Sequence, residues 1–233
     1  MTKLSDYMEN NFDMKTFNHM PLQALPEVYT ETINRKRFYV TPDGNKYPSI
    51  TTVLSILSEE AIQRWRARVG EQEANKITAQ ATKRGTKMHD IFEKYLRQEE
   101  EIIFDNILQE QMFNSALPLL DEIQPIALEA PLYSDTLKMA GRVDCVGLFE
   151  DKLTIIDFKT SSKWKEEYMA KPWFIQMTAY AMMVEEMTGY EVEEILAIVV
   201  VEGQTGGVQA FGSFPNEHVD ELVSLRKQYT NLY

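Results

Sequence analysis

Apolar and polar residues alternate from Arg142 to Phe149, and a second apolar run covers Leu153 to Ile156. Glu150-Asp151-Lys152 interrupts the pattern, so residues 139–160 are predicted to be two strands joined by a tight acidic turn. Upstream the period changes. Met88, Ile91, Phe92, Tyr95 and Leu96 recur at helical spacing, which predicts an amphipathic helix after Gly85, within a helical region from Glu71 to Gln98 kinked near that glycine. Asn106 to Ile123 reads as a further helix that Pro118 bends or ends, and Ile126 to Tyr133 as the strand that opens the sheet. Downstream, Pro172 to Met187 is predicted helical, with Pro172 in its first turn and Gly189 just past its end. Ile195 to Val201 is nearly continuous Ile, Leu and Val, as in a strand buried on both faces. A turn at Gly203–Gly207, a strand over Val208–Phe214 and a C-terminal helix complete the pattern.

Before residue 85 the pattern is less regular. Residues 35–48 predict a hairpin with its turn at Pro42-Asp43-Gly44. Ser49 or Thr51 is placed to cap a helix carrying Val53, Leu54 and Leu57 on its apolar side. A helix from Glu60 to about Val69 follows, with Trp65 inward and the arginines outward; residues 1–30, broken by Pro21 and Pro26, read as an irregular arm. The sum is one α/β domain: residues 85–233 form its core, and residues 1–84 supply an arm, a hairpin and a helical segment.

Composition narrows the picture. The chain has 233 residues, 44% hydrophobic and 26% charged, which is ordinary for a globular protein. No apolar run approaches the ~20 residues that span a bilayer, so no membrane partner is expected. The N-terminus has no apolar signal core and is too acidic for a mitochondrial presequence, which leads to the expectation of a bacterial or phage-infected cytoplasm. A single cysteine, Cys145, excludes a four-cysteine zinc or iron–sulfur site. The net charge of −12 argues against a protein that coats nucleic acid nonspecifically. Residues 61–87 run the other way: Arg64, Arg66, Arg68, Lys76, Lys83, Arg84 and Lys87 face only Glu71 and Glu73. That local excess fits either a phosphate track or a solvated helix face.

The chemistry centres on Asp157-Phe158-Lys159, where the second strand of the pair ends. Side chains two apart on a strand share a face, so a carboxylate and an ammonium sit side by side. Acidic-x-Lys tripeptides occur three times in this chain, about what chance supplies; this one alone closes an apolar strand and follows another acid, Asp144, on the adjacent strand. Charges there must be paired or bind a metal. The two carboxylates fit a hard cation such as Mg2+ or Mn2+, and they equally fit a structural ion pair with Lys159.

This arrangement resembles the PD-(D/E)XK nuclease superfamily, with Val143-Asp144 standing where the family has Pro-Asp. The likeness extends to its RecB-like branch through Arg84-Gly85-Thr86-Lys87-Met88-His89 before the sheet and Gln176-x-x-x-Tyr180 after the lysine strand. Tyr47-Pro-Ser-Ile-Thr-Thr-Val-Leu54 with the later Trp65 is similar to phage and mitochondrial genome maintenance exonucleases of that branch. The resemblance implies a restriction-endonuclease-like core, a mixed central sheet flanked by helices, with a helical N-terminal elaboration. It implies Mg2+ or Mn2+ held by His89, Asp144, Asp157 and the Phe158 backbone carbonyl, with Glu129 as a further candidate ligand. Lys159 would position the attacking water, with Gln176 and Tyr180 near the scissile phosphate or supporting Lys159. DNA, single-stranded or at ends, would follow Arg64, Trp65, Arg68, Lys83, Arg84 and Lys87, while Arg142 either contacts DNA or pairs with an acid. A replication or recombination protein is the expected partner. The rival reading is a non-catalytic nucleic-acid-binding or recombination-partner protein on the same fold, and a structure-specific endonuclease is a third.

Overall fold

A computed structural model of the chain describes residues 2–3, 16–17, 28–33 and 36–232. Most of the expected irregular arm lies outside the described residues. One described piece, β1 (Thr2–Lys3), pairs with β5 (Ile103–Phe104). The hairpin is β3 (Lys36–Val40) and β4 (Lys46–Pro48), extended by β2 (Tyr29–Ile33) into a three-stranded antiparallel sheet. It is fastened to the rest of the molecule by Tyr47, whose hydroxyl donates to Asp135 Oδ1 at 2.5 Å.

The central sheet has five strands in the order β10 (Val208–Ser213), β9 (Glu194–Val201), β8 (Lys152–Ser161), β7 (Met139–Phe149), β6 (Ile123–Ser134). All its pairings are antiparallel except β8 with β9. That parallel pair needs a crossover, which the apolar helix α5 (Lys171–Thr188) supplies. Gly189 ends α5 in the left-handed region at φ 76°, as the sequence led one to expect. Glu150 and Asp151 both take positive φ, the geometry of a two-residue hairpin turn between β7 and β8.

Helices cover both faces of the sheet. On one side α3 (Glu71–Leu96) and α4 (Ile107–Leu120) bury Met88, Phe92 and Phe113 against Cys145, Ile156, Phe158 and Ile198. On the other, α1 (Ile50–Leu54), α5 and α6 (Val219–Leu232) pack Ile50, Ile175 and Leu222 onto Val143, Ile155 and Ile195. Ser49 caps α1, accepting from Thr52 N at 3.1 Å.

Three expectations need correction. The helix α3 runs through Gly85 without interruption, because a lone glycine costs only about 1 kcal/mol and the packed turns after it outweigh that. Trp65 does not enter the core: α2 (Glu59–Val69) has no buried residue, and Trp65 is half-buried on its flank. Helix α4 stops at Leu120, two residues past Pro118, and Ile123 already belongs to the sheet.

Candidate active site

The site lies where β7 and β8 part. Their ladder runs from Phe149–Lys152 to Cys145–Ile156 and stops there. On its other side β8 stays paired with β9 through Ser161–Val201. Asp144, the first residue beyond the ladder, turns its carboxylate across the gap, and its Oδ2 accepts the Phe158 N–H at 2.9 Å. A side chain thus replaces a main-chain acceptor, and an acid is held at the edge of the core with its side chain 14% exposed.

Three elements converge on that carboxylate. From α3, His89 Nδ1 stands 3.4 Å from Asp144 Oδ2. The imidazole is seated edge-on to the Phe158 ring at 6.4 Å, and Phe92, one turn further along, packs on the same ring at 5.2 Å. From β6, Glu129 takes φ 49°, which is unusual for a residue with a side chain. One ligand atom from each of His89, Glu129 and Asp144 lies within 4.8 Å of the others.

On β8, Asp157 and Lys159 share a face as their spacing requires, and Lys159 Nζ forms an ion pair with Asp157 Oδ2. The other oxygen, Oδ1, accepts from Gln176 Nε2 of α5 at 3.4 Å. Asp157 was expected among the metal ligands. It adjoins the His89–Glu129–Asp144 group, with one oxygen toward Lys159 and the other toward Gln176. One turn beyond Gln176, the buried hydroxyl of Tyr180 donates to the Arg142 carbonyl at 2.7 Å. It can reach that carbonyl only because residue 141 is glycine: a Cβ there would lie 2.7 Å from Tyr180 Cε1 and 3.2 Å from Ile50 Cδ1.

Burial, with the charge of Asp157 close by, pushes the Asp144 carboxyl up to about 7, against the pull of His89, Lys159 and the Phe158 N–H. Glu129 is also raised, by burial and then by Glu93. Burial alone would lower Lys159, but Asp157 and Asp144 more than offset it, so its ammonium is held in the charged form. Tyr180 is raised well above the ordinary phenol value by burial and by the two aspartates. Crowded acids with one imidazole fit a divalent cation that takes oxygen and nitrogen ligands, since such an ion offsets the burial and the neighbouring charge that raise Asp144.

The basic residues divide. Arg64, Arg68 and Lys83 are exposed, Arg64 with Glu60 at 3.3 Å and Lys83 lining a cleft between α3 and α4. Arg84 is committed to the fold: it donates to Thr160 Oγ1 at 3.3 Å and pairs with Glu202 at 2.9 Å. Lys87 lies 3.6 Å from Asp105 and 3.9 Å from Asp90. Arg142, exposed at the surface, donates to the Glu129 carbonyl at 2.8 Å rather than pairing with an acid. Two contributors were not singled out from the sequence, Gly141 and Arg97; the neighbours that give them their roles come from residues distant along the chain. Among the described residues no helix is long and apolar enough to cross a membrane.

The chain is 27% identical over 176 residues to mitochondrial genome maintenance exonuclease 1 of Homo sapiens, covering 70% of this chain and 51% of that protein. It is 28% identical over 175 residues to the Mus musculus protein of the same name, again covering 70% of this chain and 51% of the relative. The chain therefore spans about half the length of the curated relatives it matches. A crystal structure of SSO0001 superposes with a TM-score of 0.40 at 14% identity over 74% of this chain and 70% of that one, too loose a likeness to carry an argument. The model of one family matches residues 56–224, which include every element of the site and all but part of the α/β core. The mixed sheet with helices on both faces is the restriction-endonuclease-like core, and the chain belongs to the PD-(D/E)XK nuclease superfamily.

Proposed function

We propose that the chain is a divalent-metal-dependent deoxyribonuclease that hydrolyses phosphodiester bonds from the ends of single-stranded DNA. The observation that carries the reading is the opened end of the β7–β8 ladder, where Asp144 meets His89 and Glu129 beside the Asp157–Lys159 pair. Metal dependence is supported by that donor set. Dependence on DNA ends is supported by relatives named exonucleases, and a role in replication, recombination or repair by their description as genome maintenance proteins.

His89, Asp144 and Glu129 would hold Mg2+ or Mn2+, with Asp157 and the Phe158 carbonyl next to them; the imidazole favours Mn2+. A divalent ion bound there supplies Lewis acidity toward the phosphate and makes a water a better nucleophile. Lys159, beside Asp157 and Asp144, would orient the attacking water or offset charge on the phosphoryl oxygens. Gln176 fixes Asp157, and Tyr180 fixes β7 through the Arg142 carbonyl. With the nucleophile and leaving oxygen in line, substitution at phosphorus is chiefly a matter of positioning and charge. Arg64, Arg68 and Lys83 would line the path of the strand, with Trp65 as a stacking surface.

The test uses linear and covalently closed single-stranded DNA, fluorescently labelled, with Mg2+, Mn2+ or EDTA. The linear substrate is expected to be degraded with either metal and the circle to survive. Lys159→Ala is expected to lower the rate by about 10^3-fold, in the range for loss of a transition-state donor. Equal digestion by Lys159→Ala would refute the site. Cutting of the circle would make the protein an endonuclease, and failure of both metals on every DNA form would favour the non-catalytic binding protein.

A further inference from the structure

Glu129 lies within β6, yet its backbone is in the left-handed region at φ 49°. The pairing of β6 with β7 steps over it: Leu128 pairs with Cys145 and Ala130 with Val143, while Glu129 and Asp144, opposite each other, do not pair. The carbonyls on either side of the Glu129 N–Cα unit are taken by arginine side chains. Arg142 Nη1 donates to the Glu129 carbonyl at 2.8 Å, and Arg97 Nη2 donates to the Leu128 carbonyl at 3.0 Å. Arg97 is itself aimed by Glu93, whose Oε1 accepts from Nε at 2.9 Å. Both arginines reach in from the surface, Arg97 with its side chain 43% exposed. A strained residue persists only where its surroundings over-determine it, and these guanidiniums do so on consecutive carbonyls.

We propose that Arg97 and Arg142 are positioning residues that hold the Glu129 peptide in its left-handed conformation and thereby keep its carboxylate in the cluster with His89 and Asp144. The proposal rests on the metal-binding reading of that cluster. It predicts a sign that simple electrostatics does not. Removing a positive charge from beside a cation site strengthens cation binding if charge is all that matters. If the arginines act through geometry, removing either one weakens it, because the carboxylate swings out of the group.

The experiment titrates Mn2+ into metal-free protein by calorimetry, with the free ion counted by electron paramagnetic resonance. Arg97→Met and Arg142→Met are each expected to raise the Mn2+ Kd about 10-fold, the scale seen when a group supporting a metal ligand is removed. Arg142→Lys keeps the charge but not the guanidinium, and its effect should be intermediate. In a Glu129→Gln background neither arginine substitution should weaken Mn2+ further, as required if both act through that carboxylate. Thermal unfolding in EDTA establishes that each variant is folded. Unchanged or tighter Mn2+ binding in the arginine variants overturns the proposal and leaves the metal site standing, as does weakening that persists without the Glu129 carboxylate. No Mn2+ binding by the parent protein would overturn the metal reading and the proposal with it.

Discussion

The two halves of α3 are one continuous helix under opposite constraints. Before Gly85 only Ala74 is buried, and the surface carries Lys76 and Lys83. After it Met88, Ile91, Phe92, Tyr95 and Leu96 are all 3% exposed or less. The second half therefore acts as a wall of the core and holds His89 by its packed neighbours. The first half, with the uncovered α2, offers charge to solvent and contributes little to the core. Substitutions in the packed half should register as reduced stability, and those in the open half as altered binding to DNA.

The largest expected effect is in the packed half. Phe92→Ala removes a fully buried ring that packs on Phe158 and should cost about 3–5 kcal/mol in urea unfolding. A change below about 1 kcal/mol would mean that the wall is not where stability lies. Gly141→Ala tests the opposite side of the sheet, forcing a Cβ against Tyr180 and Ile50. It should destabilise by about 1–3 kcal/mol and slow cleavage as well, because β7 carries Asp144 three residues on.

A smaller effect concerns Asp144 and carries a sign. Its carboxyl is raised from 3.8 to about 7 in the folded chain, so ionising it opposes folding. The penalty is full above about pH 7 and fades as the pH falls toward the ordinary carboxylate range. Metal-free protein should thus gain stability between pH 8 and pH 5 at this site. Asp144→Asn should raise the metal-free Tm at pH 8 by several degrees, at roughly 2–4 °C per kcal/mol, and flatten the pH slope. An unchanged or lowered Tm at pH 8 would count against it. The smallest change in stability belongs to the open half: Arg68→Gln with Lys83→Gln should stay within about 0.5 kcal/mol of the parent. The same pair should reduce the salt dependence of single-strand binding, by about 0.7 in log–log slope for each phosphate the protein then leaves unneutralised.

How much of this was legible in the sequence depended on the range of the forces involved. The turn at Glu150-Asp151, the strand Ile195–Val201 and the packed turns from Met88 to Leu96 are written in local periodicity, and the structure has all three. Trp65 was misplaced because amphipathic spacing shows which face is apolar, not whether anything covers it. Ile123 was misplaced because a boundary between helix and strand is settled by pairing, here with Phe149. Within the site, residue types and order pointed to Asp144, Asp157, Lys159 and His89, and the fold brings all of them to one end of β7 and β8. Which way Asp157 turns was not legible, since Gln176 arrives from another layer. Nor was the need for glycine at 141, which is set by a ring 39 positions later.

The single parallel pairing of the sheet carries a consequence for how the protein comes to be active. The β7–β8 hairpin closes over two turn residues, a local event of the microsecond class. Its ladder ends at Ile156, so closing it leaves residues 157–161 unfixed. Apart from the Asp144 bond to the Phe158 N–H, the strand partner of those residues is β9, which must wait for the whole crossover through α5 to fold and dock. Refolding should therefore show strand signal in advance of Mn2+ binding and nuclease activity, with the slower phase lengthened by lesions in α5 or β9 but not by changes at Glu150 or Asp151.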